Sequence, residues 1–263
     1  MRKALPLALA FGFLAAPAFA ADTTRLPVKP VEFSFDSPFG TYDRGALQRG
    51  FQVYKEVCSA CHSLNHIAFR NLADEGGPGF TEAQAKAIAI GYKIPADPND
   101  KGEIFDDKGV RLTRAGTTAD YFPAPFPNEE AARANNGGAL PPDLSLVVKA
   151  REGGAHYVYS LLTGFHMTPP AGFTVVTGKY YNPYYEGWNI SMPPPLADKA
   201  VTYSDGTAAT IDQEATDVAT FLAWASDPKM EERKRMGFGV LIFLVALSGI
   251  LFAAYRKVWK NAH

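Results

Sequence analysis

The sequence predicts a mainly α-helical exported domain with long ordered loops, carried on a single C-terminal transmembrane helix. Three observations give that class. Two segments repeat apolar residues at helical spacing. The 20 residues from Met236 to Tyr255 hold no charge, enough to span ~30 Å of hydrocarbon. Twenty prolines and 23 glycines leave room for long irregular connections.

The elements follow in chain order. Residues 1–20 read as a signal peptide: Arg2 and Lys3 form the charged start, Ala4 to Phe19 is uncharged, and Ala18-Phe19-Ala20 fits small-x-small cleavage. Ala21 to about Pro38 is an extended, proline-punctuated arm. Asp43 caps a helix running to about Val57, in which Leu47, Phe51 and Tyr54 share one face. A short amphipathic segment spans Glu82 to Tyr92. Residues 95 to 145 read mainly as loop. Short helices are expected from Leu144 to Arg151 and around His156 to Thr163. Residues 167 to 198 combine prolines and glycines with Tyr180, Tyr181, Tyr184, Tyr185 and Trp188. So aromatic a loop must bury its surface against something.

Thr210-Ile211-Asp212-Gln213 is a capping box. It opens a helix with Val218, Phe221, Leu222 and Ala225 on one face, which Asp227-Pro228 ends or kinks. The organisation is therefore signal 1–20, exported domain 21–229, and anchor 230–263 with its span at about 236–255. Basic residues flank the span on both sides, so they do not orient it. The signal peptide does: the domain is exported and the short tail stays inside.

Charge is counted by compartment. The chain has 26 basic and 27 acidic residues; without Arg2, Lys3, Arg256, Lys257 and Lys260 the exported part carries a net charge of −6. That balance suggests a basic partner and argues against nucleic acid. Eight acidic residues lie between Asp97 and Glu130, against Lys101, Lys108, Arg111 and Arg114.

The chemistry sits in Cys58-Ser59-Ala60-Cys61-His62. C-x-x-C-H is the attachment pattern of c-type haem. Two thiols two residues apart reach the two vinyl groups of one porphyrin, and the following His is held as an axial ligand. A zinc site would need further nearby ligands, and the chain has no other cysteine. A thioredoxin-like pair would need a strand before it, where a helix is expected. One haem c, covalent through Cys58 and Cys61 with His62 on the iron, is the reading. Candidates for the second axial ligand are Met167 and Met192, then His66, His156 and His166. Each Met precedes a proline pair, so local chemistry leaves the two open.

Longer strings carry a resemblance. They are Arg49 to Cys58 (RGFQVYKEVC), Asn135 to Ser145 (NNGGALPPDLS), Tyr157 to Gly164 (YVYSLLTG), Asn182 to Tyr185 (NPYY), Met192-Pro193-Pro194, Asp217 to Trp224 (DVATFLAW) and Arg233 to Gly237 (RKRMG). In these the chain resembles the cytochrome c1 family, the haem subunits of ubiquinol–cytochrome c oxidoreductases, over nearly all of its mature length. The resemblance implies a cytochrome c-type haem domain that transfers single electrons and does no substrate chemistry of its own. Donor and neighbours would be the Rieske iron–sulfur protein and cytochrome b, the acceptor a soluble basic cytochrome c, and the place a bacterial inner membrane with the haem on the periplasmic side. It implies Met192 rather than Met167 as distal ligand, and Arg151 and Tyr157 at a haem propionate. Asn136, Pro141, Pro142, Leu161, Leu162, Tyr185 and Ile190 would line the pocket. Some bacterial relatives carry a further disulfide, for which this chain has no cysteine. The rival classes are a free membrane-tethered shuttle, which needs a flexible linker, and a haem enzyme or gas sensor with an open iron site.

Overall fold

The computed structural model describes residues 24–261. The expected signal peptide lies outside the described residues. Two helices form the frame. Asp43 caps α1 (Arg44–Val53), its carboxylate accepting the amide of Ala46 at 2.8 Å. The helix then continues as one π-turn, Tyr54–Cys58, closed by Ser59 N–H donating to the Tyr54 carbonyl at 2.8 Å. The extra residue in that turn re-aims the chain as it enters the Cys58–His62 motif.

The helix α6 (Ile211–Ser226) crosses α1. Leu47, Phe51 and Tyr54 on α1 and Val218, Phe221 and Trp224 on α6 are buried at this crossing and beside it. Gly50 sits at the contact, where a Cβ would lie 2.0 Å from the Asp217 carbonyl oxygen and 2.7 Å from Phe221. Only glycine lets the backbones come this close. Beside it, Arg49 makes a two-pronged bond to the fully buried Asp217, both arms 2.9 Å, and a third to Asp205. A planar fork matched to a carboxylate is the arrangement that compensates such burial.

The capping box at Thr210 forms only by half. Thr210 accepts the amide of Gln213 at 3.2 Å, but its own N–H donates to the Ala208 carbonyl. That leaves the Gln213 side chain nothing to satisfy there.

The middle of the chain hangs on this frame. Thr81 and Gln84 cap α2 (Glu82–Ile90) reciprocally. The region expected as loop from 95 to 145 holds more than loop. Short antiparallel strands β1 (Lys93–Pro95) and β2 (Thr113–Ala115) close an excursion at 96–112, and α3 (Glu129–Asn135) follows. Asn128 starts α3 by accepting the Ala131 amide, and Glu129 and Glu130 lie in its first turn, where negative charge meets the positive helix end. Two helices, α4 (Val147–Ala150) and α5 (Gly154–Gly164), stand where short helices were expected.

The aromatic stretch 167–198 is a loop pinched by β3 (Tyr180–Tyr181) and β4 (Asn189–Ile190). Phe173, Tyr181 and Trp188 pack together, with ring centres 5.4–6.0 Å apart. Fully buried Asn182 donates to the Leu161 carbonyl at 2.7 Å and accepts the Tyr184 amide. The loop is thereby docked on α5. The N-terminal arm crosses the same helix, with Lys29 bonded to Ser160 and Thr163.

The anchor α7 (Met230–Val258) has 29 residues, about 43 Å of helix. Its apolar window has no part buried against the rest of the chain, as a membrane span requires and a core helix does not. Asp227, Pro228 and Lys229 alone separate it from α6. Glu231 accepts the Tyr42 amide and pairs with Arg44 at 2.7 Å, and Arg233 and Lys149 both reach Asp227. The join is braced.

Candidate functional site

The motif turns tightly. Cys61 N–H and His62 N–H both donate to the Cys58 carbonyl, at 3.1 and 2.9 Å. The Tyr54 hydroxyl donates to the His62 carbonyl at 3.3 Å, tying the end of the turn back to α1. Neither cysteine is in a disulfide; Cys58 is half-buried and Cys61 exposed. Before attachment, burial pushes the Cys58 thiol up to about 12, with Cys61 adding to the effect.

His62 carries the geometry that matters most. Its Nδ1 lies 2.8 Å from the Pro142 carbonyl oxygen. A carbonyl only accepts, so Nδ1 holds the proton and Nε2 keeps its lone pair. Burial lowers the His62 pKa, against the opposing pull of the Pro142 carbonyl and Asp143. Such an imidazole is neutral, fixed in tautomer and oriented, as a metal-ligating His is. The donor set fits a haem: two thiols and one oriented imidazole within five residues.

The carbonyl is itself held. Asp143 accepts the Ser63 hydroxyl (2.7 Å) and the Asn65 amide (2.8 Å) through one oxygen, and the Ser145 amide (2.8 Å) through the other. Leu144 N–H donates to the Ser63 carbonyl, and the Ser145 hydroxyl accepts the His66 amide. These bonds lace the segment after His62 to the segment that carries Pro142. Sequence reasoning missed Asp143, Ser63 and Ser145. An Asp directly after Pro-Pro, bonding an amide two residues on, is an Asx-turn signal that was there to be read.

Cys61, Leu140, Pro141, Pro142 and Asp143 line an open cleft of about 330 Å³ that continues to Phe126 and α3. The structure thus brings Cys58, Cys61, His62, Pro141 and Pro142 together. Arg151 and Tyr157 form a second group. The Arg151 charge acts on the Tyr157 hydroxyl; Tyr157 is buried and Arg151 exposed. Burial raises the Tyr157 hydroxyl pKa, opposed by Arg151 and Arg25, so it remains a donor. The Arg151 guanidinium bonds its neighbour's carbonyl at Ala150, which leaves donors for an anion. Asn136 is half-buried and spends its amide on the Ala132 carbonyl at the end of α3.

The axial candidates separate by surroundings. Met192 is half-buried, two residues past β4; Met167 is exposed after α5. His156 is engaged elsewhere, its Nε2 on the Val31 carbonyl at 2.9 Å. His66 is exposed, 3.8 Å from Asp143. Among the described residues no cluster of three or more His, Cys, Asp or Glu forms a separate metal site.

A helical domain with paired thiols, an oriented histidine and a C-terminal helix of membrane-spanning length defines a c-type cytochrome on an anchor. Comparison with known proteins makes that particular. The sequence model of the cytochrome c1 family matches residues 33–262. Cytochrome c1 of Rhodospirillum rubrum is 45% identical over 88% of this chain and 86% of its own length. The cytochrome b/c1 of Bradyrhizobium diazoefficiens is 50% identical over 88% of this chain, which spans only 35% of that longer protein. The cytochrome b-c1 complex catalytic subunit of Candida albicans is 48% identical over 84% of this chain and 73% of its own length. The chain belongs to the cytochrome c1 family. Its cofactor is haem c, held covalently through Cys58 and Cys61.

Proposed function

We propose that this chain is the haem subunit of a ubiquinol–cytochrome c oxidoreductase, taking single electrons from the Rieske iron–sulfur protein and passing them to a soluble basic cytochrome c. The observation that carries the reading is the His62–Pro142 bond beside the paired thiols. When bound, the haem supplies a reversible one-electron change at its iron. The chain does the rest. Cys58 and Cys61 would hold the ring, His62 would offer it Nε2, and Met192 would offer a thioether, a ligand that favours the reduced state. Arg151 and Tyr157 offer donors to a propionate. Pro141 and Pro142 line the cleft beside Cys61.

The partners follow from the family and from construction. Two relatives bear names that join cytochromes b and c1, which supports assembly with cytochrome b. A free shuttle needs a flexible tether, and the bonds of Tyr42, Arg44 and Asp227 across the α6–α7 join speak against one. The domain would face the periplasm of a bacterial inner membrane, the tail the cytoplasm.

Acceptor docking would be electrostatic. Asp97, Asp100, Glu103, Asp106 and Asp107 are exposed on the 96–112 excursion and Glu129 and Glu130 on α3. Asp120 is neutralised by Arg114 through two bonds of 2.6 and 2.7 Å, and an acidic excess of four remains after that pair is set aside. Stopped-flow reduction of a basic cytochrome c by the assembled complex tests this. Raising salt from about 20 to about 300 mM shortens the screening length from ~20 to ~6 Å, and the second-order rate should fall steeply. A flat profile would exclude steering by this surface.

A further inference from the structure

The loop at residues 36–40 is an exposed apolar protrusion with no role in the haem site. Phe39 is 74% exposed, among the most exposed large apolar side chains outside α7. A single exposed phenylalanine is ordinary on a protein surface, so its surroundings must supply the reason. Its neighbour explains the placement. The Phe39 ring meets the Phe238 ring edge-on, with centres 5.5 Å apart and planes at 80°. Phe238 stands on α7 two residues past Met236, inside the uncharged stretch.

The loop is not there by chance collision. Lys234 donates its ammonium to three of its carbonyls, Phe35 and Ser37 at 2.7 Å and Gly40 at 3.2 Å. An ammonium has three protons, and this one spends all three on the loop. Two turns shape the loop itself, Asp36 N–H to the Phe33 carbonyl and Gly40 N–H to the Ser37 carbonyl. A Cβ at Gly40 would sit 2.4 Å from the Ser34 carbonyl oxygen, so the turn cannot be opened by a larger residue without shifting.

Depth then follows from arithmetic along one helix. Lys234 and Arg235 are the last charged residues before the span, and Phe238 lies three residues past Arg235, about 4.5 Å deeper. A ring packed against Phe238 shares that depth. A cleft of about 470 Å³ lies between the loop, Gly76 and the first turns of α7, with Lys229, Glu232 and Arg235 on its walls. Its mixed charge suits a headgroup layer, and the two phenylalanines at its edge suit the acyl boundary below.

We infer that Phe39 is a second membrane contact: the 36–40 loop inserts at the lipid interface beside α7 and, with it, fixes the tilt of the haem domain on the bilayer. A single helix can tilt in the bilayer and carry the domain braced to it along. Two contacts locked together by Lys234 resist that tilt. The occupant is lipid because Phe39 is held at the level of the span itself. A partner protein seated on the same ring is the competing outcome.

The test places a photoreactive benzophenone amino acid at position 39 in the full-length, haem-loaded chain, in native membranes with its complex assembled. The large aromatic ring is kept. On illumination the haem-stained band should gain the mass of a phospholipid acyl adduct. Crosslinking to another polypeptide, or no adduct to either, would overturn the inference. A nitroxide on Phe39→Cys in phosphatidylcholine vesicles gives a second reading, since in the haem-loaded chain Cys58 and Cys61 are thioethers and leave no competing thiol. Its collision rate with oxygen should exceed that with a water-soluble nickel chelate, and the reverse order should hold for a label at exposed Val110. A nickel preference at position 39 would place the loop in water and overturn the inference.

Discussion

Two histidines make the same bond and end with different fates. His62 donates from Nδ1 to the Pro142 carbonyl at 2.8 Å; His156 donates from Nε2 to the Val31 carbonyl at 2.9 Å. Both rings are half-buried. The difference is which nitrogen is spent. Using Nδ1 leaves the far tip of the ring, Nε2, free to ligate. Using Nε2 blocks that tip and leaves Nδ1 crowded against the residue's own backbone. The first arrangement suits the iron ligand proposed for His62, and the second makes a staple between the arm and α5. Residue type and exposure do not distinguish them; the position of one carbonyl does.

Removing His62 should therefore have the largest effect. His62→Ala should abolish low-spin haem absorption and electron transfer through the assembled complex, because no other described histidine presents a free, oriented nitrogen to the motif. Retention of the low-spin spectrum would mean another residue is the ligand.

The proposed opposite ligand comes next. Met192→Leu should keep the haem on Cys58 and Cys61, lose the sulfur-to-iron charge-transfer band, and lower the midpoint potential, since a thioether favours the reduced iron. Met167→Leu should do neither. The reverse pattern of bands would transfer the assignment to Met167.

Asp143 tests the carbonyl rather than the ring. Asp143→Ala strips the acceptor from Ser63, Asn65 and Ser145 and loosens Pro142 against His62. A weaker bond at Nδ1 makes Nε2 a poorer donor, which favours the reduced iron. The potential should rise, and the variant should lose about 1–3 kcal/mol of stability. Asp143→Asn keeps one acceptor oxygen and should fall between. A redox titration followed by the haem bands reads the sign, and an unchanged potential would reduce Asp143 to a loop staple.

What was legible in the sequence follows the same division. The α1 and α6 helices were legible because Leu47, Phe51 and Tyr54, and Val218, Phe221 and Leu222, repeat at helical spacing. The motif was legible because its parts are contiguous. Asp143 was not, because its meaning lies 78–80 residues away, at Ser63 and Asn65. The π-turn at Tyr54–Cys58 leaves no mark in an apolar pattern that reads equally well as α-helix. The three-residue strands β1 and β2 are too short for a period of two to show. Met167 and Met192 were inseparable locally, since each precedes two prolines, and only the strings around Met192 tipped the choice through the family.

The smallest effect belongs to His156 and completes the comparison. Its ring packs edge-on against Phe33, 5.1 Å away at 84°, and its Nε2–H meets the Val31 carbonyl. His156→Phe keeps a ring of similar shape against Phe33 and deletes the donor alone. The lost hydrogen bond should cost about 1 kcal/mol, a drop of about 2–4 °C in melting temperature for a domain of this size. The haem bands and midpoint potential should not move, because the arm reaches α5 without touching the Cys58–His62 turn. His62→Phe in the same background should instead remove the low-spin spectrum. If His156→Phe shifted the potential as far as Asp143→Ala does, the arm would be coupled to the iron ligand, and the distinction between a ligand and a staple would fail.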